Sequence, residues 1–480
     1  LHGVQGVEGS NPFTPTIKLK NSFEEYLQGC FFFAQTIARQ KEAMRFIHAA
    51  DLHIDSPLRG LSRYPGAPLE RLRGATRRAL ERLVDLALAE QVDFVLLAGD
   101  LYDRDWPDFH TGLFVRGQMV RLARAGIRVF IVQGNHDAHG VITRQVSWPD
   151  NVKLFSSRSA ESVHWPELGV AIHGRSFPDR AVPEDWVPDY PPAQPGCFNI
   201  GLLHTSLTGA EGHDTYAPTS LALLRTKGYD YWALGHIHQR QVVCQQPRVV
   251  FSGNLQGRHA KETGPKGCEL VTVQGAHINS QPIALDVVRW HQLALDVTAI
   301  DTLDDFTASV AAQLQALTPT AASDVLHAVR VVLTGASALH ALEAAQPGTL
   351  AAAVQAAAQD VRDADMWIER VHLALRSALD RAQLAQGTDA IAELVRGVDA
   401  LAQDPAALAD LCRTHLAEVL NKMPAEVSST LTASASAAAS AAALDDLPRL
   451  DQPEDLLALL RDAEATLLAR LNPASRTEVA

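Results

Sequence analysis

The chain has 480 residues, 47% of them hydrophobic, with a formal net charge of -13. That length and apolar content can bury a large core and fit about two to four domains. The acidic balance excludes nucleic-acid binding through overall charge, so any phosphate contact must come from local Lys and Arg or through a metal.

Cys30, Cys197, Cys244, Cys268 and Cys412 form no C-x-x-C pair. This fits a reducing cytoplasm and neither a disulfide frame nor a thiolate zinc site. No apolar run is long enough to span a membrane, and no basic-then-apolar start marks a signal peptide. The first methionine is Met44, directly before a strand-like stretch, and Gly9-Ser10-Asn11-Pro12 reads like the translated T-arm of a transfer RNA gene. Residues 1–43 are therefore expected to be a non-native or disordered leader outside the fold.

From Met44 onward the pattern alternates strand and helix: strands at 45–50, 94–98 and 128–132, helices around 69–90 and 109–125. Apolar strands in a βαβαβ order predict a parallel sheet covered by helices. On the first helix, Arg71, Arg73, Arg77, Arg78 and Arg82 read as a solvated face. Between 152 and 295 strands dominate, with Pro-rich connections at 188–195. Strand, helix and Ala-rich helix then alternate to 375 as a small α/β unit, and mostly helix follows. Asp404-Pro405 opens one late helix with a good N-cap and a proline at its first position. Asp451-x-x-Glu454 with Pro453 opens the last, where Leu456, Leu460, Ala463, Leu467 and Leu471 share a face. The expected domains are 44–285, 286–385 and an Ala-rich helical region 386–480 with a linker near 428–446.

Chemistry gathers at the strand ends. The run 94–98 stops at Gly99 and delivers Asp100. The first strand is followed by Asp51-Leu52-His53 and the third by Gly134-Asn135-His136-Asp137. Later strands end in His204 and in Gly235-His236-Ile237-His238. Open α/β sheets place ligands at the carboxyl ends of their strands. Singly, each residue has a plainer reading as a turn or cap. Together, Asp51, His53, Asp100, Asn135, His204, His236 and His238 make an oxygen and imidazole donor set without thiolate, suited to Mn²⁺, Mg²⁺ or Fe²⁺. These are too many ligands for one ion. A carboxylate, Asp100, shared by two ions about 3.5–4 Å apart accounts for them.

These five motifs resemble the signature of the calcineurin-like metallophosphoesterases. The stretches 49–55, 99–103 and 253–259 are similar, more narrowly, to the SbcD-type DNA repair nucleases of the YhaO branch. The resemblance implies a calcineurin-like αββα sandwich, with 286–385 as a small α/β capping domain and a helical C-terminal region. It implies that Asp51, His53, Asp100 and His238 hold one divalent ion, and that Asp100, Asn135, His204 and His236 hold the second, with Mn²⁺ the favoured metal. His136 would protonate the leaving oxygen or steady the pentacoordinate phosphorus, with Asp137 orienting its ring, while a metal-bound hydroxide attacks phosphorus. The implied activity is two-metal-dependent DNA phosphodiester hydrolysis, exo- or endonucleolytic, in DNA repair. The implied partners are DNA and an SbcC-like coiled-coil ATPase, with a homodimer as the family's common assembly and no membrane.

One departure stands out. Better-known nucleases of this type carry a histidine where this chain has Asp103, which puts processive exonuclease action in doubt. The alternative on the same fold is a small-substrate phosphodiesterase or phosphatase. A scaffold with a vestigial site is disfavoured by the complete ligand set. For DNA contact the candidates are Arg104, Arg258 and His259, with Arg59, Arg63, Lys261 and Lys266 in support; these would hold a phosphate backbone without reading bases.

Overall fold

A computed structural model describes residues 43–56, 66–103, 109–138, 147–207, 216–318, 324–423, 449–450 and 452–471. The expected leader, the 428–446 linker, Asp451, Arg59, Arg63 and Arg104 lie outside the described residues, apart from Ala43 of the leader.

The apolar strands assemble as two six-stranded sheets. In the first, β1 (Met44–Ala49), β2 (Phe94–Ala98), β3 (Arg128–Val132) and β4 (Val152–Leu154) run parallel, in that order. β11 (Gly267–Gln274) and β12 (His277–Ala284) extend the β1 edge antiparallel. The second sheet has the order β5 (Glu161–Trp165), β6 (Val170–Gly174), β7 (Phe198–His204), β8 (Tyr231–Gly235), β10 (Arg248–Phe251) and β9 (Gln241–Cys244). Its middle strands β6, β7, β8 and β10 are parallel.

Two-residue periodicity sorts the side chains. Phe46, Phe94, Leu96 and Phe130 meet Ile172, Ile200, Leu202 and Tyr231 between the sheets. The alternate residues Ile47, Val95, Leu97 and Ile131 face the other way, against α1 (Leu69–Ala89) and α2 (Phe109–Arg124). Helix α1 packs there because Ala79, Leu80, Leu83, Val84 and Ala87 recur at helical spacing. The far face of the second sheet is covered by α3 (Leu221–Thr226) and by loop residues Phe177, Trp186 and Tyr190. Prolines at 188 and 191–192 suit that stretch to irregular backbone with one 3-10 turn, Val187–Asp189, rather than α-helix.

A third sheet, all parallel, is formed by β13 (Val288–Asp296), β14 (Leu326–Ser337) and β15 (Asp365–Ser377). It packs on α4 (Leu303–Ala316), α5 (Leu339–Ala345) and α6 (Thr349–Gln359). This unit docks on α1, which corrects the expected arginine face at three of its five positions. Arg71 pairs with Asp365 at 2.5 Å, Arg82 donates to Asp286 O at 2.6 Å, and Arg77 forms a two-pronged pair with Asp55. These three charges are spent on neighbouring elements, whereas Arg73 and Arg78 are exposed as expected.

The helical region contains α7 (Arg381–Ala385), α8 (Ala390–Ala402), α9 (Pro405–Lys422) and α10 (Pro453–Leu471). Asp404 caps α9 through the amide of Ala407 at 3.0 Å. The expected apolar stripe on α10 is displaced: Leu456, Glu464 and Leu468 are buried, whereas Leu467 and Leu471 are exposed. Glu464 can face inward because Arg381 and Arg461 pair with it at 2.9 and 3.0 Å. Among the described residues no helix is long and apolar enough to cross a membrane.

Candidate metal centre

The parallel strands of both sheets point their carboxyl ends at one place. Asp51 and His53 follow β1, Asp100 follows β2, Asn135 to Asp137 follow β3, His204 ends β7, and His236 and His238 follow β8. The loops are stitched together by backbone: the Asp51 amide donates to Gly99 O and the His53 amide to Asp100 O, both at 3.0 Å. Four of these side chains sit on left-handed backbone, Asp51 (φ 52°), His53 (φ 42°), Asp100 (φ 53°) and His236 (φ 99°). Such geometry costs about 1–3 kcal/mol per non-glycine residue and clusters where a site, rather than stability, sets the conformation. Gly235 and Gly134 are required for the same crowding: a Cβ on Gly235 would strike Ala98 O, and one on Gly134 would strike the Asp100 carboxylate.

Asp100 stands at the centre. Its Oδ1 accepts from the His136 amide at 2.9 Å, which leaves Oδ2 facing His204 Nε2 at 3.5 Å and His53 Nε2 at 3.8 Å. Around it, Asp51, His53 and His238 have ligand atoms within 4.8 Å of one another, as do Asp51, Asp100 and His204. A third such group joins His53, Asp100 and His136. The ring of His236 packs edge-on against His204 with centroids 5.1 Å apart, and its amide donates to both oxygens of Asp51.

Hydrogen bonding fixes which imidazole nitrogen faces inward. Nδ1 of buried His204 lies 3.0 Å from the carbonyl of Ala98, which can only accept, so that nitrogen carries the proton. Nε2 then presents its lone pair to Asn135 Oδ1, 2.9 Å away. Burial lowers the pKa of His204, so a second proton is disfavoured. Two lone pairs facing each other in a buried pocket call for a cation between them. His238 is set the same way: Nδ1 lies 2.7 Å from Glu262 Oε1, and Nε2 meets His53 Nε2 at 3.2 Å. Cis ligands at about 2.1 Å from one ion would stand about 3 Å apart, which these spacings match.

The carboxylates give the same answer. Burial and the neighbouring Asp100 push the Asp51 pKa well above its usual range. Burial, again with Asp100, raises Asp137 to about 7. Acids this crowded and dry stay ionised only if positive charge is supplied. The donor set, imidazole and hard oxygen without thiolate, fits divalent metal.

His136 differs from the expectation in its partner. Its Nδ1 lies 2.8 Å from Asp103 Oδ1, a close ion pair. Asp103 in turn accepts from Ser56 Oγ at 2.6 Å. Asp137 instead accepts the backbone amides of Leu101, Tyr102 and Gly134 at 3.0–3.1 Å, tying the loops after β2 and β3 together. Burial would lower the His136 pKa and raise that of Asp103, but their mutual attraction outweighs it and shifts each the opposite way. The His136 side chain is 26% exposed, and Asp51, Asp100 and His204 are sealed behind it.

Of the basic candidates, Arg258 is turned into the site, 3.7 Å from Asp103 and 3.2 Å from Glu262. Lys266 is buried and donates to His238 O at 2.9 Å. His259 is 56% exposed. Glu262 escaped the sequence reading altogether; the one signal was an acid four residues past Arg258, in a stretch otherwise basic and polar.

Residues 44–240 match the family described as calcineurin-like phosphoesterase, and residues 290–376 match the middle domain of metallophosphoesterase YhaO. A relative in Bacillus subtilis (strain 168), described as an uncharacterized metallophosphoesterase YhaO, is 42% identical over 259 residues. The match spans 53% of this chain and 64% of that protein's length. Among solved structures, TT1561 of Thermus thermophilus is 13% identical at a TM-score of 0.29, covering 50% of this chain and 99% of that one. A dimetal phosphatase from Danio rerio is 11% identical at a TM-score of 0.32, covering 50% and 96%.

Proposed function

We propose that this chain is a metal-dependent phosphoesterase that cleaves phosphodiester bonds in DNA, a reading supported by the match of residues 44–240 to calcineurin-like phosphoesterases and of residues 290–376 to the YhaO middle domain. The observation that carries the chemistry is the lone-pair confrontation of His204 Nε2 with Asn135 Oδ1 beside two buried aspartates. In this reading Asp51, His53, Asp100 and His238 hold one divalent ion and Asp100, Asn135, His204 and His236 hold the other, Mn²⁺ being the metal we favour. When bound, such ions supply a nucleophile from water at neutral pH and balance charge on the phosphoryl oxygens.

The chain's own residues do the rest. His136, kept charged by Asp103, holds a proton at the solvent side of the site, where the leaving oxygen would depart. Asp137 keeps the loops that carry Asp100 and His136 in register through their amides. The Glu262 carboxylate keeps His238 in the tautomer that offers Nε2.

DNA as substrate is supported by the resemblance of stretches 49–55, 99–103 and 253–259 to SbcD-type nucleases. The same resemblance leads us to propose an SbcC-like coiled-coil ATPase as partner, which co-purification would test. A second reading, a phosphodiesterase for small substrates, is favoured by one observation: Arg258 and Lys266 are built into the site instead of lying open to a backbone. Linear duplex and hairpin DNA, assayed with Mn²⁺ beside bis-p-nitrophenyl phosphate, separate the two. Cleavage of every substrate supports the nuclease; turnover of the ester with no action on any DNA end overturns it.

A further inference from the structure

Arg258 stands between two carboxylates that each hold a different imidazole. On one side, its Nη2 donates to Glu262 Oε1 at 3.2 Å, and that oxygen lies 2.7 Å from His238 Nδ1. Glu262 Oε2 accepts the Arg258 amide at 2.7 Å and Asn254 Nδ2 at 3.0 Å, so the acid is held from both ends. On the other side, Arg258 Nη1 lies 3.7 Å from Asp103 Oδ2 and 3.4 Å from Ser56 Oγ. Asp103 is the partner of His136. One guanidinium thus spans from the carboxylate beside His238 to the carboxylate beside His136.

We infer that Glu262 and Arg258 are positioning residues, a bracket that fixes His238 and His136 relative to each other, and that Arg258 is not a cation for substrate phosphate. A planar guanidinium presents its donors in a fixed fork and can engage two carboxylates at a set separation. A lysine ammonium offers a comparable charge but only a point of contact. Glu262 acts through His238 Nδ1, as the outer carboxylate of a metal-ligating histidine does, fixing tautomer and ring orientation. The short hydrogen-bonded loop from Asn254 to Glu262 is what carries both groups.

The inference rests on His238 being a metal ligand, so its test reads metal as well as turnover. In the full chain, Glu262→Gln keeps the volume and Arg258→Lys keeps the charge, and thermal unfolding checks that both retain the fold. Mn²⁺ affinity is measured by equilibrium dialysis with elemental analysis, and kcat and KM are taken on an alkyl phosphodiester, whose leaving oxygen needs a proton. The bracket predicts that Glu262→Gln weakens one of two Mn²⁺ sites by about 10–100-fold while sparing the other. It predicts that Arg258→Lys lowers kcat about tenfold or more with KM within about twofold. Wild-type Mn²⁺ affinity in Glu262→Gln would overturn it, as would an Arg258→Lys enzyme with normal kcat or with only KM raised. A wild-type chain that binds no Mn²⁺ and hydrolyses no ester would instead bring down the phosphoesterase reading beneath it.

Discussion

Asp103 Oδ1 and His136 Nδ1 stand 2.8 Å apart, across the gap between the loops that follow β2 and β3. The acid is not a bare anion facing substrate: His136, Ser56 and Arg258 surround it. The carboxylate therefore sets the environment of the His136 imidazole rather than adding repulsion at the mouth.

Asp103→Asn should accordingly act on proton delivery. On an alkyl phosphodiester kcat is expected to fall on the order of 100-fold with little change in KM. On bis-p-nitrophenyl phosphate, whose leaving group departs without help, the loss should be much smaller. Steady-state kinetics on both esters make the comparison, and equal losses would show that the pair does not serve the leaving oxygen.

Asp100→Asn tests the shared carboxylate. Oδ2 faces both His53 and His204, while Oδ1 is engaged by the His136 amide, so one amide substitution disturbs both ligand groups at once. Activity is expected at background level and the metal content of the purified chain well below one ion. Elemental analysis decides: a variant that keeps two ions and full turnover would remove Asp100 from the bridge.

The gathering of the inner polar residues was legible because each closes an apolar run, and the strand ends of two parallel sheets converge whatever the loops do. Asp51, His53, Asp100, Asn135, His204, His236 and His238 fall there together. What holds these side chains in place was not legible. Glu262 lies on a loop with no periodicity, and the choice of Asp103 over Asp137 as partner of His136 depends on how two loops pack in space. On α10, leucine spacing pointed to a face through Leu467 and Leu471, but hydropathy cannot see that Arg381 and Arg461 neutralise Glu464 and turn the neighbouring stripe inward.

Glycine substitutions should separate the site from its scaffold. A Cβ on Gly134 would meet the Asp100 carboxylate carbon at 2.9 Å and His204 Cε1 at 2.8 Å, where neither side chain can retreat. Gly134→Ala is expected to cost about 1–3 kcal/mol and to abolish metal binding. Gly117, within α2, has nothing within 4 Å of its virtual Cβ, so Gly117→Ala should stabilise by about 0.5–1 kcal/mol. Urea denaturation of the two variants should move in opposite directions; a shift of the same sign in both would contradict this account.

Acid sensitivity should trace in part to His48, buried on β1 between the sheets. Its Nε2 donates to Leu234 O at 3.2 Å and its Nδ1 accepts from the Tyr231 hydroxyl at 3.1 Å, so the neutral ring is fully satisfied. Burial, opposed by nearby Glu269, lowers its pKa from 6.5 to about 4. Between those values the unfolded chain binds a proton that the folded chain refuses, so stability falls as pH drops through this window and is fully present above it. The loss amounts to about 2 kcal/mol by pH 5 and about 3 kcal/mol by pH 4. His48→Gln should be less stable at pH 8 yet show a shallower decline from pH 7 to pH 5. The other buried imidazoles are common to both proteins, so urea midpoints across that range isolate this one. Parallel pH profiles for the two proteins would mean that His48 is not the group that titrates.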